Sequence, residues 1–221
     1  GKVVDNNAIN ATCRLLEKMG YADFFPKEQG CCGAMHQHEG FADEANSFAE
    51  INISQFNNGN FDAIVYFASG CGAQLLKYQD RFNAPLIEAA TFLSSLSLTT
   101  HNKTIQQSIA IHSPCTLRNS TGAWPVMLEL VKKIAGKQLV ELPDNHICCG
   151  SAGLHQLKYP ETANQFMLPK LESLQQLKPD ILLTANTGCA LHFRNNIREA
   201  GLDIKVMHPA EWISEQLLEM T

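Results

Sequence analysis

The chain predicts an α/β fold built from two tandem, pseudo-symmetric, Rossmann-like units, each with a parallel sheet. Three observations carry that expectation. A Cys-Cys-Gly turn occurs twice, as Gly30-Cys31-Cys32-Gly33-Ala34 and as Ile147-Cys148-Cys149-Gly150-Ser151-Ala152-Gly153. After each turn a further cysteine follows at nearly the same interval: Cys71 in Ala68-Ser69-Gly70-Cys71-Gly72-Ala73, with 38 residues between it and Cys32, and Cys189 in Asn186-Thr187-Gly188-Cys189-Ala190-Leu191, with 39 residues between it and Cys149. Finally, short apolar runs alternate with segments of helical period throughout, the pattern of a sheet covered by helices. With 221 residues there is room for two domains of about 110 residues, a common domain size. The first unit is placed at 1–98, a polar linker at 99–107 and the second unit at 108–221.

In chain order, Val3-Val4 is a short β-branched pair. Asn6 or Asn7 then caps a helix whose apolar positions Ile9, Cys13, Leu16 and Met19 share a face, and Gly20 ends it. Ala22–Phe25 reads as a short strand running into the first Cys-Cys-Gly turn. Phe41 to about Phe56 has helical period, and Asn57-Asn58-Gly59-Asn60 breaks it. Phe61–Phe67 is a buried strand by composition, delivering the chain to Cys71 and a helix to about Tyr78. Pro85–Ile87 and Ala89–Leu98 are the last strand and helix of the first unit. The pattern restarts with a strand at Ile109–His112, Ser113-Pro114-Cys115, and a helix through Val126–Ile134 closed near Gly136. Leu139–Glu141 is a strand leading to the second Cys-Cys-Gly turn. Pro160 opens a helix to about Leu177, followed by the strand Ile181–Thr184, a helix from Cys189 to Gly201, the strand Ile204–Met207 and a final helix over Pro209–Met220.

Composition excludes several functions. Hydrophobic residues make up 45% and charged residues 18% of the chain, which is ordinary for a globular protein with a real core. The net charge of −5 comes without any block of Lys or Arg, so no nucleic-acid surface and no polybasic membrane patch is expected. There is no apolar run near 18 residues and no charged-then-apolar leader, so neither a spanning helix nor a signal peptide is expected and the default address is cytoplasmic. Eight cysteines in a chain of this size, without an export signal, point to metal or redox chemistry rather than a disulfide framework.

Cys115, Cys148 with Cys149, and Cys189 each lie just past a predicted strand. In parallel α/β units such strand ends open on one edge of the sheet, so four thiols distant in sequence converge there. Cys189 also starts a helix, where backbone N–H groups favour a thiolate. Four soft thiolates suit an iron-sulfur cluster or a tetrahedral zinc. The first unit matches only Cys31, Cys32 and Cys71, because no cysteine stands where a counterpart of Cys115 belongs; a three-thiol or degraded site is expected there. Cys13 is read as core packing. His192 follows Cys189 by three residues on the same helical face and is the candidate fifth ligand. His112 is read as a packed strand residue or a donor behind the ligands, and His36, His38, His146 and His155 as loop residues. The glycine of each turn is read as backbone freedom beside a bulky cofactor. No phosphate-cradling loop, Gly-x-Gly-x-x-Gly fingerprint, Gly-x-Ser-x-Gly elbow or ferredoxin-type cysteine run occurs.

These motifs resemble the paired cysteine-rich "CCG" domains found in heterodisulfide reductase, in lactate-utilisation iron-sulfur proteins and, most of all, in the iron-sulfur subunit of glycolate oxidase. The resemblance rests on Glu28-Gln29-Gly30-Cys31-Cys32-Gly33-Ala34, Ala68-Ser69-Gly70-Cys71-Gly72-Ala73, His112-Ser113-Pro114-Cys115-Thr116-Leu117, Cys148-Cys149-Gly150-Ser151-Ala152-Gly153 and Thr184-Ala185-Asn186-Thr187-Gly188-Cys189, and covers essentially the whole chain. It implies an electron-transfer module holding a cluster of the 4Fe-4S type through Cys115, Cys148, Cys149 and Cys189. Flavin-containing glycolate oxidase subunits and a ferredoxin-like N-terminal half or partner would complete the assembly, which feeds a membrane quinone with at most peripheral membrane association. Three departures stand out: the family's N-terminal ferredoxin-like half is not matched, so the resemblance is to the C-terminal portion; the family's opening Gly-Cys pair reads Gly1-Lys2; and the Cys-x-x-Cys that ends its fuller motif is replaced by Cys71-Gly72-Ala73-Gln74 and Cys189-Ala190-Leu191-His192. Two rival readings stay open, a zinc-stabilised interaction module and heterodisulfide-reductase-like thiol-disulfide chemistry at the vicinal pairs.

Overall fold

The structure, a computed structural model, describes residues 4–96 and 105–218. Its main sheet has four parallel strands in the order β4-β3-β5-β6, formed by β3 (Ile109–Ile111), β4 (Leu139–Glu141), β5 (Ile181–Leu183) and β6 (Lys205–Met207). A second, two-stranded parallel sheet pairs β1 (Ile64–Tyr66) with β2 (Leu86–Glu88). Around them run the helices α1 (Asn6–Lys18), α2 (Ala34–His38), α3 (Ala42–Asn57), α4 (Ser69–Leu75), α5 (Ala89–Ser95), α6 (Trp124–Ala135), α7 (His155–Lys158), α8 (Pro160–Leu177), α9 (Thr187–Glu199) and α10 (Pro209–Leu218). The alternation of strand and helix expected from the sequence is present, with α/β architecture in both halves.

Alternation along the central strands explains the layers. Ile109, Ile111, Ile181 and Leu183 face one side, where they join Met127, Leu128 and Val131 of α6 and Trp212, Ile213 and Leu217 of α10. Ala110 and Leu182 face the other, against Met167 and Leu174 of α8 and Phe193 and Ile197 of α9; this period of two is the strand's own geometry. The first core also takes in Leu15 of α1 and Ala89, Ala90 and Leu93 of α5, so one apolar cluster spans both halves. A smaller cluster of Ile53, Ile64, Tyr66, Leu75, Phe82 and Ala84 belongs to the first half alone.

Several expectations are corrected. Ala22–Phe25 is not a strand. Its counterpart, β4, exists by pairing with β3, and among the described residues no strand offers Ala22–Phe25 such a partner. Phe24 instead stacks on Phe61 at 5.3 Å between ring centroids. The strand read at Phe61–Phe67 shortens to β1. The helix read from Cys71 begins at Ser69 and passes at Leu76 into a 3-10 segment, Leu76–Arg81. On α1 the fully buried residues are Ala8, Ala11, Thr12 and Leu15, while Ile9, Cys13, Leu16 and Met19 are half-buried, Leu16 and Met19 against the same core. Small side chains let α1 approach α10 closely, and Thr12 meets Ser214 there, hydroxyl to hydroxyl at 3.3 Å. The short helices α2 and α7 had no sequence signal, being too brief for a period to register. Val3, the end of the helix read at Ala89–Leu98, most of the linker 99–107 and the last residues of the final helix lie outside the described residues; within the linker, Ile105 is buried in the shared core.

Glu88 closes β2 and caps α5, accepting from the Thr91 backbone N–H at 2.9 Å. Its other carboxylate oxygen is buried without a partner, and burial pushes its pKa up to about 7. Because that value lies above the ordinary 4.5, its contribution to stability is full below about pH 4.5 and is lost as pH rises through about 7. The unfolding free energy of the wild type relative to Glu88→Gln is therefore expected to fall by up to about 3 kcal/mol between pH 4.5 and 8. Denaturant titrations of both proteins across that range check it, and parallel profiles would contradict the assignment.

Candidate metal centre

Three parallel strands deliver the second thiol group. The register pairs Ile111 with both Glu141 and Leu183, so the segments leaving β3, β4 and β5 start side by side. The loop after β4 is tied to β3: Leu142 donates to the Ile111 carbonyl at 3.1 Å, Asn145 Nδ2 donates to the same carbonyl at 3.2 Å, and Asn145 Oδ1 accepts from Ser113 N–H at 2.9 Å. The Arg118 guanidinium donates to the carbonyls of Asn145 and His146. After β5, Asn186 caps α9 by accepting from the N–H groups of Gly188 and Cys189 at 3.0 and 3.2 Å, which fixes Cys189 in the first turn.

All four cysteines expected in the second half come together. Cys149 and Cys189, both buried, lie 3.1 Å apart at their sulfurs. The thiols of Cys115 and Cys149 hydrogen-bond to Cys148, which also accepts from the Gly150 N–H at 3.4 Å. Those donors drive the Cys148 thiol far below its usual range, while hydrogen bonding to Cys148 pushes Cys115 and Cys149 up. The result is one favoured thiolate inside a run of thiols, a soft donor set that suits a thiophilic metal or cluster. Ser113 Oγ, two residues before Cys115, is buried without a partner, so polar capacity beside the thiols is unspent.

His112, expected as a packed strand residue or a donor behind the ligands, stands close to two of the thiols. A ring nitrogen of His112 and the sulfurs of Cys149 and Cys189 all lie within 4.8 Å of one another. The ring is fully buried, edge-on to Phe193 at 4.9 Å, with Nδ1 2.9 Å from Thr184 Oγ1. Burial drives its pKa down to about 3, keeping the imidazole neutral and able to ligate. A signal was available: His112 stands three residues before Cys115 at the end of a buried strand. His192, the expected fifth ligand, lies outside that close group. It is buried with Nε2 3.0 Å from Asn164 Oδ1 on α8.

The first half repeats the arrangement with fewer groups. Cys32 and Cys71 are 3.1 Å apart at sulfur, and Cys31 hydrogen-bonds to Cys32. These bonds push Cys31 up and Cys71 down. Cys13 is not among them; burial and neighbouring Asp23 raise its thiol to about 11. Asn52 of α3 clasps this turn, accepting from Gly30 N–H at 3.0 Å and donating to the Cys31 carbonyl at 2.8 Å. The glycines of the two turns share a reason distinct from cofactor clearance. Gly33 and Gly150 both have positive φ, 78° and 88°. A Cβ on Gly33 would sit 3.1 Å from the Ala45 backbone of α3, and one on Gly150 would sit 2.3 Å from the Ala163 carbonyl of α8. Each turn is pressed against the second helix after it, α3 in the first half and α8 in the second.

The two thiol groups flank a polar seam. Ser69 at the start of α4 and Thr116 beside Cys115 are 2.7 Å apart at their hydroxyls, and Asn186 Nδ2 donates to both at 3.1 and 3.3 Å. Ser69 N–H donates to the Ala185 carbonyl at 3.0 Å, and His208 Nε2 lies 2.8 Å from the Phe67 carbonyl. Asn186→Ala removes both cap and seam, with an expected loss of about 1–2 kcal/mol in denaturant unfolding; Asn186→Asp, which keeps the capping oxygen, is expected to recover part of it.

The family model of the CCG cysteine-rich domain matches residues 5–76 and again 109–194. The chain is 31% identical to the probable glycolate oxidase iron-sulfur subunit of Bacillus subtilis (strain 168), over 95% of this chain and 50% of that protein. It is also 31% identical to the glycolate oxidase iron-sulfur subunit of Escherichia coli (strain K12), over 96% and 54%. Lactate utilization protein A of Geobacillus sp. (strain WCH70) is 26% identical over 95% and 93%. The chain thus spans about half the length of the first two relatives. With two matched copies that bracket both thiol groups, this chain belongs to the CCG cysteine-rich domain family.

Proposed function

We propose that the chain is the iron-sulfur electron-transfer portion of a complex that oxidises glycolate or a related 2-hydroxyacid. In this reading it relays electrons from flavin-containing partner subunits, through or beside a ferredoxin-like segment, toward a quinone. The observation that carries it is the convergence of Cys115, Cys148, Cys149 and Cys189 on one largely buried strand edge, in a chain whose relatives are named iron-sulfur subunits. Those four cysteines would hold a cluster of the 4Fe-4S type, with His112 against it and His192 behind; Cys31, Cys32 and Cys71 would form a second, three-thiol site. When bound, such a cluster supplies reversible one-electron transfer. The chain's own part is to exclude water from Cys149 and Cys189, to fix Cys189 through the Asn186 cap, and to hold Cys148 ready as thiolate. The units 1–98 and 108–221 would act as paired halves. Among the described residues no helix is long and apolar enough to cross a membrane; we place the protein in the cytoplasm, at most peripherally on the membrane.

Anaerobically purified protein is expected to be brown and to bleach on dithionite addition, with an electron paramagnetic resonance signal appearing. Colourless protein holding a closed thiolate zinc would overturn the reading in favour of a structural module. Metal-free protein whose Cys148 alkylates rapidly near neutral pH would favour thiol-disulfide chemistry instead.

A further inference from the structure

Lys170 is a fully buried lysine, 0% exposed, on the core-facing side of α8 between Met167 and Leu174. Its ammonium donates to the Asp144 carbonyl at 2.6 Å, in the loop that leads to Cys148 and Cys149. Burial pushes its pKa down, and Cys149, Asp144, Cys148 and Cys189 push it back up. A buried ammonium with so few hydrogen bonds is expensive unless negative charge compensates it, and the negative groups acting on it include Cys148, the thiol favoured as thiolate, and the Asp144 carboxylate.

The first half holds the contrasting case. Ala45 packs under the Gly33 turn and Ala163 under the Gly150 turn. Seven residues on from each, two helical turns along, stand Asn52 and Lys170. Asn52 clasps its turn at the Cys31 carbonyl, and Lys170 clasps the loop entering its turn at the Asp144 carbonyl, four residues before Cys148. Matching places therefore hold a neutral amide in one half and a cation in the other. A clasp alone needs no charge, as Asn52 demonstrates.

We infer that Lys170 is the resident countercharge of the second thiol site, favouring the electron added there; the matching place in the first half holds the neutral Asn52. The inference rests on the iron-sulfur reading above. The step concerned is the transfer of one electron from a reduced mediator dye to the loaded site, with no bond made or broken. A fixed positive charge in a dry environment stabilises the more negative, reduced state.

The test compares wild type, Lys170→Gln and Lys170→Arg by iron and sulfide content, by potentiometric titration and by melting of the metal-free protein. Glutamine removes the charge and keeps an N–H donor, one bond short of the lysine's reach, and the melting of the metal-free protein reports whether the loop stays held. The equilibrium constant for reduction is expected to fall at least tenfold in Lys170→Gln, a lowering of about 59 mV for one electron, and to recover in Lys170→Arg. An unchanged potential in a loaded Lys170→Gln would overturn the inference. If that variant fails to load, an unchanged melting temperature with loading restored by arginine supports the charge role; a lowered melting temperature, or failure of arginine to restore loading, overturns it. Wild type without iron and sulfide would bring down the parent reading instead.

Discussion

Cys149→Ser will leave the chain nearly free of iron and sulfide. Cys149 is 1% exposed and is the thiol that links the group: it touches Cys189 at 3.1 Å and hydrogen-bonds to Cys148. Serine fills almost the same volume, so packing against α8 and α9 survives, but a hard hydroxyl replaces a soft thiolate at the middle of the donor set. The expected outcome is loss of more than about nine-tenths of the bound cluster, with relatively little change in the unfolding midpoint of the metal-free protein. Cys13→Ser, outside both groups, should retain wild-type metal content. Equal iron and sulfide in Cys149→Ser and wild type would remove the second site from the account.

Gly150→Ala is expected to cost stability on a scale that Cys149→Ser does not. Two penalties add at this position. A φ of 88° is unfavourable for any residue with a Cβ, by about 1–2 kcal/mol, and the new methyl would lie 2.3 Å from the Ala163 carbonyl, forcing the turn off α8 for a further ~1–3 kcal/mol. Because the displaced turn carries Cys148 and Cys149, metal content should fall together with the unfolding midpoint. Gly20→Ala supplies the comparison: its φ is 84° but nothing lies within 4 Å of the added atom, so only the backbone penalty of about 1–2 kcal/mol is expected. Equal losses in the two variants would show that the pressed turn is not the reason for the glycine.

Much of this architecture was legible in the residues because its signals are local and repeated. The runs at Ile109, Leu139, Ile181 and Ile204 each sit between turn residues and a periodic helix, and each appears as a strand of the expected parallel sheet. The convergence of Cys115, Cys148, Cys149 and Cys189 followed from that topology alone, since parallel strand ends share an edge. What escaped depended on tertiary partners. Ala22–Phe25 has strand composition, yet a strand is defined by its neighbour, which a local pattern cannot supply. The fully buried face of α1 slipped by one position because Ala and Thr make a close helix contact without a conspicuous apolar stripe. His112 and His192 illustrate the same limit at the site: spacing put His192 on the face of Cys189, but Asn164 on α8 takes its Nε2, while His112 reaches Cys149 and Cys189 from a separate strand. Lys170 gave no sequence signal, because its burial beside the thiols depends on how α8 packs over the loop after β4.

Whether the converged thiols hold a redox cluster is decided by the amount of iron, zinc and acid-labile sulfide per chain in protein purified without oxygen. The expected result is about four iron and four sulfide, rising toward eight of each if the three-thiol site also fills, and no stoichiometric zinc. About one zinc per chain without sulfide would contradict it and make the thiol group a structural site.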